Sequence, residues 1–246
     1  MSLVGKVGLV TGASGEIGAA IARGLAASGA TIIGTYAEAA PPIPAASSGV
    51  GHWIPLDQRL PQSIDGVVES IVSDHGRLDI LINNAAWNVT IPFTDLDGVT
   101  PDIWDRVIET NMRGPFLLSR ACAPLLRAHG TGRIVNISSV AGIAPIGSSV
   151  AYAVGKAGIN HLTRCLAVAM APAVSVNCIA PGLVENTGMS NRALDSAAQL
   201  ALRDNCLLQR SADLADIVAQ VIIFVTSASI TGQTVAIDGG MPVAMR

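Results

Sequence analysis

The stretch TGASGEIG, from Thr11 to Gly18, lies between an apolar run, VGLV, and a segment with helical periodicity, AAIARGLAASG. Its three glycines stand at positions 12, 15 and 18. Glycine clusters are common in loops, and this spacing alone is a weak signal. What the glycines mean therefore depends on the segments around them.

Short apolar runs alternate with helix-periodic segments along the whole chain. The runs are rich in Val and Ile and do not alternate with polar residues, which is typical of strands buried on both faces. The predicted strands are 7–11, 31–35, 52–56, 78–84, 132–138, 174–179 and 234–238. After a first helix that begins near Gly15, further helices are predicted at 63–75, 101–128, 151–170, 192–205 and 213–226. We therefore expect an α/β fold with a single doubly wound parallel sheet, Rossmann-like, of about seven strands with helices on both faces. One domain, 1–246, is expected, with 37–49 as a surface loop.

In this setting the glycines occupy the first strand-to-helix turn. A dinucleotide-binding fold needs three things there: a tight turn, close backbone approach to a pyrophosphate, and close packing of the helix. The start of the helix would receive the phosphate oxygens. A nucleotide P-loop would need Lys and then Ser or Thr after its last glycine, but Ala19 and Ala20 follow Gly18.

Composition narrows the possible partners. The chain has 246 residues, 15 basic against 18 acidic side chains and no basic block, so nucleic acid is not expected as a partner. No apolar window reaches the ~18 residues of a membrane span, and no signal peptide is evident at the start. Four cysteines without CxxC spacing predict reduced thiols in a cytoplasmic protein, and the four histidines show no metal-ligand spacing.

Three further stretches carry chemistry. IVNISSVAG ends the fifth predicted strand, and its Ser139 stands thirteen residues before Tyr152. YAVGK places Tyr152 and Lys156 on one face of a helix. With NNAA at 83–86, Asn111 in ETNMRGPF, IAPG at 179–182 and SITGQTVAIDGG at 229–240, the whole chain resembles the short-chain dehydrogenase/reductase family.

The residue types suit hydride transfer between an alcohol and a ketone or aldehyde. A free tyrosine has a pKa near 10, and a lysine cation one helical turn away would lower it toward the working range. Ser139 would hold the substrate oxygen while Tyr152 exchanges its proton. The resemblance further implies that Lys156 grips the nicotinamide ribose and that Asn111 supports a water chain. Spacing favours Ser139 over Ser138, which is expected only to cap the strand end.

The resemblance also implies a set of residues that bind NAD or NADP. They are Gly12, Ser14, Gly15, Ile17, Gly18, Thr35, Asp57, Asn84, Ala85, Tyr152, Lys156, Pro181, Gly182, Val184 and Thr187. The family threonine that contacts the carboxamide matches Thr187 only with a one-residue shift, and otherwise Asn186 takes its place. Asp57 resembles an adenine-contacting aspartate, or it is a helix or turn cap.

The glycine motif departs from that of single-domain family members. Their usual TGxxxGxG pattern would place glycine at 16, where this chain has Glu16, and the resulting TGxxGxxG resembles the extended branch of the family. That branch needs a C-terminal substrate domain, so the length of 246 residues leads us to expect the single-domain branch with an altered phosphate turn. A second departure, Ala86 in place of glycine, is expected to matter little.

Cofactor preference stays open. Thr35 stands where NAD-preferring members carry an acid, and no Arg or Lys is near it for the 2′-phosphate of NADP.

Three functions remain: an alcohol dehydrogenase or carbonyl reductase, a 3-oxoacyl-thioester reductase, and a non-catalytic dinucleotide sensor. The reductase of carrier-bound thioesters would want a basic docking patch, for which only Arg120, Arg127 and Arg133 gather. Family resemblance and the apolar helices at 101–128 and 151–170 predict a homotetramer acting on a small molecule, and segment 183–210 is expected to be a substrate lid.

Overall fold

The computed structural model describes residues 2–37, 49–185, 187–241 and 243. Seven strands form one parallel sheet in the order β3-β2-β1-β4-β5-β6-β7. They are β1 (Val7–Val10), β2 (Thr31–Tyr36), β3 (His52–Pro55), β4 (Ile80–Asn83), β5 (Gly132–Ile137), β6 (Val174–Pro181) and β7 (Thr234–Ile237). The helices are α1 (Glu16–Ala27), α2 (Pro61–His75), α3 (Pro101–Ile108), α4 (Gly114–Arg127), α5 (Val150–Met170), α6 (Gly188–Ala193), α7 (Ser196–Asp204) and α8 (Leu214–Thr226). The sheet confirms the predicted fold class.

Helices cover both faces of the sheet, and successive strand residues supply the two cores. On one face, Val10 and Ile82 pack with Ile21 of α1 and Phe224 of α8. On the other, Leu9 and Leu81 belong to a core that takes in residues of α2, α4 and α5. Because strand residues alternate between two covered faces, most interior positions are apolar, which explains the runs rich in Val and Ile in the sequence.

The order in which strands are added to the sheet reverses at β1. The connection from β1 runs to β2 on one side, whereas the chain returns from β3 to β4 on the other side of β1. In open α/β sheets, ligands bind outside the carboxyl ends of the strands at such a switch point. The glycine turn after β1 and the Asn83–Asn84 turn after β4 meet at this point.

Most predicted elements differ from the structure by one or two residues, and three of the differences have a clear physical cause. Strand 78–84 shortens to Ile80–Asn83, and the next amide, that of Asn84, donates to the Thr11 hydroxyl. The helix predicted at 101–128 is α3 and α4 joined by a π-helical turn, Glu109–Arg113. The helix predicted at 192–205 is two helices, because the Asp195 carboxylate accepts the Ala198 amide and begins α7 anew.

Some predicted features lie outside the described residues, among them 38–48 of the predicted loop. Within the described ranges, no helix combines the length and the apolar composition needed to cross a bilayer. Nor do His, Cys, Asp and Glu side chains gather in groups of three or more that would suit a metal ion in those ranges.

Candidate active site

The glycine turn is shaped by close backbone contacts at two of its three glycines. Gly12 has φ +61°, and a Cβ there would stand 2.9 Å from the Ala85 Cα. A Cβ on Gly18 would collide with the Gly12 carbonyl oxygen and lie 2.7 Å from the Asn84 side-chain nitrogen. A Cβ on Gly15 would meet only the Gly12 oxygen, at 3.6 Å. Packing therefore requires glycine at 12 and 18, whereas Gly15 borders open space.

Thr11 and Asn84 join the glycine turn to the turn after β4. The Thr11 hydroxyl accepts the amides of Asn84 and Ala85, each at 2.9 Å. In return, the Asn84 side-chain nitrogen donates to the carbonyl oxygens of Thr11 and Gly12 at 2.9 and 3.2 Å. Asn84 thus holds the floor of the predicted cofactor site in one arrangement.

Thr35 supports the same turn from within the protein. Its side chain is 1% exposed, and its hydroxyl accepts the Gly12 amide at 3.2 Å. The next residue, Tyr36, is half-buried at the end of β2, with its ring centre 6.5 Å from that of Trp53. Thr35 therefore acts on the backbone of the glycine turn, and its hydroxyl is already engaged there.

Asp57 is held by a neighbouring arginine. Arg59 reaches its carboxylate with two guanidinium nitrogens, at 2.9 and 2.7 Å. The hydrogen bond from Arg59 lowers the pKa of Asp57, against a smaller rise from burial. Asp57 also accepts the Arg59 amide at 3.0 Å, as a turn cap does. An arginine therefore does stand near the adenosine side of the predicted site, although it follows β3 rather than β2.

Ser139, Tyr152 and Lys156 come together at the carboxyl end of β5. Ser149 caps α5 by accepting the Tyr152 amide at 3.2 Å, which fixes Tyr152 in the first turn of the helix. The Tyr152 phenol is hydrogen-bonded to the Ser139 hydroxyl. One turn further on, the Lys156 ammonium donates to the Ile137 carbonyl oxygen at 2.9 Å. Tyr152 is 7% exposed and Lys156 3%.

Two neighbours allow this close approach of α5 to the end of β5. The Ser138 hydroxyl donates to the Lys156 carbonyl oxygen at 3.0 Å, so Ser138 positions the helix rather than only capping a strand. A Cβ on Gly142 would stand 2.6 Å from that same carbonyl oxygen. The 3-10 turn Val140–Gly142 can therefore pack directly against α5.

Burial controls the protonation of the pair. Burial raises the pKa of the Tyr152 phenol to about 12, partly opposed by the hydrogen bond with Ser139. Burial also lowers the pKa of the Lys156 ammonium to about 8. The expectation that Lys156 draws the Tyr152 pKa below 10 is therefore not met in this geometry, because desolvation outweighs the hydrogen bond with Ser139 and the Lys156 ammonium donates to Ile137 instead. At neutral pH the phenol keeps its proton.

Asn111 lies in the π-helical turn between α3 and α4. Its side-chain oxygen accepts the Trp87 amide and its nitrogen donates to the Trp87 carbonyl oxygen, both at 2.8 Å. A π-helical turn often marks a functional site, because it re-aims one side chain of a helix. Here it turns Asn111 toward the loop after β4, which carries Trp87 beside Tyr152 in one apolar cluster.

Comparison with known proteins agrees with this geometry. The sequence family described as enoyl-(acyl carrier protein) reductase matches residues 12–242. The 3-oxoacyl-[acyl-carrier-protein] reductase FabG of Escherichia coli strain K12 is 36% identical over 98% of this chain and 99% of its own. The chain belongs to the short-chain dehydrogenase/reductase family. It is an oxidoreductase by that membership.

Two other members of the short-chain dehydrogenase/reductase family show the range of similar proteins. A cis-4-hydroxycyclohexanecarboxylate dehydrogenase of Sinomonas cyclohexanicum is 34% identical over 96% of both chains. Among solved structures, RhlG of Pseudomonas aeruginosa, in an active-site complex with NADP, superposes with a TM-score of 0.87. It is 31% identical and covers 98% of this chain and 97% of that one.

The segment after β6 is tied to the end of the sheet by its own contacts. The Gly182 amide donates to the Ile237 carbonyl oxygen at 2.8 Å, and a Cβ on Gly182 would stand 2.8 Å from the Asp238 Cβ. Thr187 is buried and caps α6 through Ser190, so its hydroxyl serves the helix. Asn186, the other predicted carboxamide contact, lies outside the described residues.

Gln58 is a buried residue of this short-chain dehydrogenase/reductase that sequence reasoning missed. Its side-chain nitrogen donates to the carbonyl oxygens of Ala85 and Thr110, at 3.1 and 2.6 Å. It thus links the turn after β4 to the residue before Asn111. A glutamine in a polar stretch between strand and helix carries no periodic signal, so only the structure reveals it.

Proposed function

We propose that the protein interconverts an alcohol and a ketone or aldehyde, with NAD or NADP as the hydride carrier and Tyr152 as the acid and base. The observation that carries the proposal is the group formed by Ser139 with the buried Tyr152 and Lys156 at the carboxyl ends of the strands. A protein that only sensed the cofactor would have little need for this proton-transfer group. Asn111 completes the proposed catalytic set.

The residues of the first turn suit a nicotinamide dinucleotide. Ser14 and Gly15 are exposed beside the start of α1, Gly15 has no side chain to cap that helix, and its open side leaves space for a pyrophosphate. When bound, such a cofactor supplies or accepts hydride. Gly12, Ile17 and Gly18 would hold the pyrophosphate end. Pro181, Gly182, Val184 and Thr187 would border the nicotinamide end.

Tyr152 suits the proton transfer that accompanies hydride transfer to a carbonyl. Its phenol is protonated at neutral pH and can donate to the oxygen as negative charge develops there. Ser139 orients that oxygen by a hydrogen bond. Lys156 is mostly charged at pH 7, so it supplies a cation next to the phenolate that the transfer leaves behind.

The side chains near Tyr152 and Ser139 favour a substrate that is mostly apolar. Trp87 and Phe93 pack against the cluster that contains Tyr152. Beyond Ser139, Val140 and Ile146 pack with Met241, and Ile143 is 41% exposed. These side chains offer apolar contact to a cyclic or aliphatic ketone.

The positions of the basic side chains do not favour a thioester substrate bound to acyl carrier protein. Arg133 is the second residue of β5, whereas Ser139 follows the end of that strand, and the six residues from one to the other span about 20 Å. Arg127 ends α4 near the start of β5 and donates to the Ala169 carbonyl oxygen. Two of the three arginines expected to receive an acidic carrier protein, Arg127 and Arg133, therefore lie at the amino ends of the strands, away from Tyr152. Arg120 lies in the middle of α4. This separation favours free substrates.

A reductase assay with paired substrates tests the proposal. Purified protein is given NADH or NADPH with cyclic and aliphatic ketones, 3-oxoacyl N-acetylcysteamine thioesters, or the same acyl groups on acyl carrier protein. We expect reduction of free ketones, no advantage for the carrier-bound form, and no activity in Tyr152→Phe beyond background. Turnover of carrier-bound thioesters alone would contradict the substrate proposal, and cofactor binding without any turnover would favour a sensor.

The proposal extends to the whole chain. Residues 1–246 form one catalytic domain, segment 183–210 is its substrate lid, and four such chains assemble. All four cysteines are free thiols, which favours a reducing, cytoplasmic setting.

A further inference from the structure

Glu16 makes a contact that joins two distant parts of the cofactor site. It is the first residue of α1 and stands where single-domain relatives are expected to carry glycine. One of its carboxylate oxygens accepts the Gly188 amide at 2.8 Å. Gly188 is the first residue of α6, the first helix of the segment predicted as the lid. The exposed side chain of Glu16 therefore links the glycine turn to the segment predicted as the lid.

The first turn of α6 is otherwise fixed from within. Thr187 and Ser190 form a reciprocal capping box, in which each side chain accepts the other's amide, at 3.2 and 3.0 Å. Both residues are buried. The Gly188 amide belongs to the first turn, where no helical carbonyl can reach it. Glu16 supplies the acceptor for this amide from across the cleft.

A second contact holds the start of the same segment. The Ser211 hydroxyl donates to the Glu185 carboxylate at 2.7 Å, beyond α7. This bond does not involve the glycine turn. The contact with Glu16, by contrast, lies where a ligand bound at that turn would affect it directly.

A pyrophosphate bound at the start of α1 would lie near the carboxylate of Glu16, which is the first residue of that helix. Both are anions, and both are attracted by amides at helix starts. A pyrophosphate beside Gly15 brings like charges close together, which opposes the position that Glu16 holds. Binding of the cofactor therefore favours release of the Gly188 amide.

We propose that Glu16 is a positioning residue that latches the lid to the glycine turn, and that the cofactor pyrophosphate displaces it. The displacement rests on the proposed function, because it needs a dinucleotide at the glycine turn. The hydrogen bond from Gly188 to Glu16 does not depend on the proposed function. The latch predicts a lid that is held before the cofactor arrives and a cofactor affinity that is lowered by Glu16.

Hydrogen exchange of the protein without cofactor tests the latch. In Glu16→Ala, the amides of 187–193 are expected to exchange about fivefold to tenfold faster than in the wild type, because a charge-assisted hydrogen bond is lost. Glu16→Gln keeps an oxygen acceptor and should fall between the two. Glu69→Ala, a matched change at an exposed glutamate of α2, should leave the segment unchanged, and α5 should be unaffected in every variant. Equal exchange of 187–193 in wild type and Glu16→Ala would overturn the latch.

Cofactor affinity, measured by nicotinamide fluorescence, tests the displacement. Glu16→Ala and Glu16→Gln are expected to bind the reduced cofactor about threefold to tenfold more tightly than the wild type, and Glu69→Ala is not. Unchanged or weaker binding in both Glu16 variants would overturn the displacement. Failure of every protein, wild type included, to bind NADH or NADPH would refute the proposed function and the displacement together. The hydrogen-exchange result would still decide whether Glu16 holds the Gly188 amide.

Discussion

The Lys156 ammonium nitrogen lies 5.6 Å from the centre of the Tyr152 ring, one helical turn away on the same face of α5. Both side chains are almost fully buried, and burial raises the pKa of Tyr152 while lowering that of Lys156. The proton on the phenol and the charge on the lysine therefore respond to pH in different ranges. This difference leads to the first prediction.

Cofactor affinity should fall as the pH rises through about 8. The pKa of Lys156 is about 8, so its ammonium is charged below that pH and neutral above it. A neutral amine loses its charge-assisted hydrogen bonds to the ribose hydroxyls, and we expect the dissociation constant to rise at least about threefold between pH 7 and 9.5. Nicotinamide fluorescence titrations across this range measure the effect.

Two variants separate Lys156 from other groups that titrate. Lys156→Ala should bind the cofactor weakly at every pH, lose the inflection near pH 8 and lose turnover. Tyr152→Phe should keep the inflection. The Cys178 thiol lies near Lys156, but burial raises its pKa to about 11, outside the range. An inflection that persists in Lys156→Ala would assign the titration to another group.

Asp79 should contribute to stability above about pH 4. Burial raises its pKa, but hydrogen bonds from Arg77, the Val7 amide and Lys6 outweigh burial and hold the pKa at about 2. Because this value lies below the unfolded 3.8, the stabilisation is present above the unfolded pKa and is lost as pH falls through about 2. Asp79→Asn should lower the free energy of unfolding by about 2 kcal/mol at pH 7.

Urea unfolding at pH 7 and at pH 3 checks this prediction. The difference between wild type and Asp79→Asn should narrow at the lower pH. Asp65→Asn removes a carboxylate from an exposed position of α2 and should change stability little at either pH. A loss for Asp79→Asn that is the same at both pH values would mean that packing, rather than charge, supports this site.

Assembly into tetramers should depend on α4 and α5. Phe116 of α4 is 41% exposed, and Val154 and Val168 of α5 are 45% and 82% exposed. Such residues on two adjacent helices suit burial against another subunit. Light scattering should give about four times the chain mass of 25.1 kDa, and Phe116→Asp should lower it.

A surface control and the opposite result complete this test. Val4→Asp places the same charge on an exposed valine near the N-terminus and should leave the mass unchanged. A wild-type mass near that of one chain would refute the tetramer.

The sequence predicted those parts of the fold that depend on periodicity. Buried strands and amphipathic helices are defined by which residues are apolar, so the sheet and most helices were found within a few residues. The break between α6 and α7 was missed because helix-forming residues run through it. The signal was the Asp195 cap, which satisfies the Ala198 amide and stops the first helix from continuing.

The sequence brought Ser139, Tyr152 and Lys156 into one predicted site because the chemistry fixes their residue types and spacing, and the structure places the three close together. Contacts between residues far apart in the chain left no such pattern. Gln58 reaches Thr110, and Glu16 reaches Gly188, only because the fold brings them together. The protonation of Tyr152 was also beyond the sequence, since it depends on burial rather than on spacing to Lys156.

Turnover of Tyr152→Phe tests the central claim most directly. The phenylalanine keeps the ring and its packing but has no proton to donate. With NADH or NADPH and a ketone reduced by the wild type, the rate should fall by a factor on the order of 10² or more, while the dissociation constant for the cofactor stays nearly unchanged. Wild-type turnover in Tyr152→Phe would contradict the assignment of Tyr152 as the proton donor.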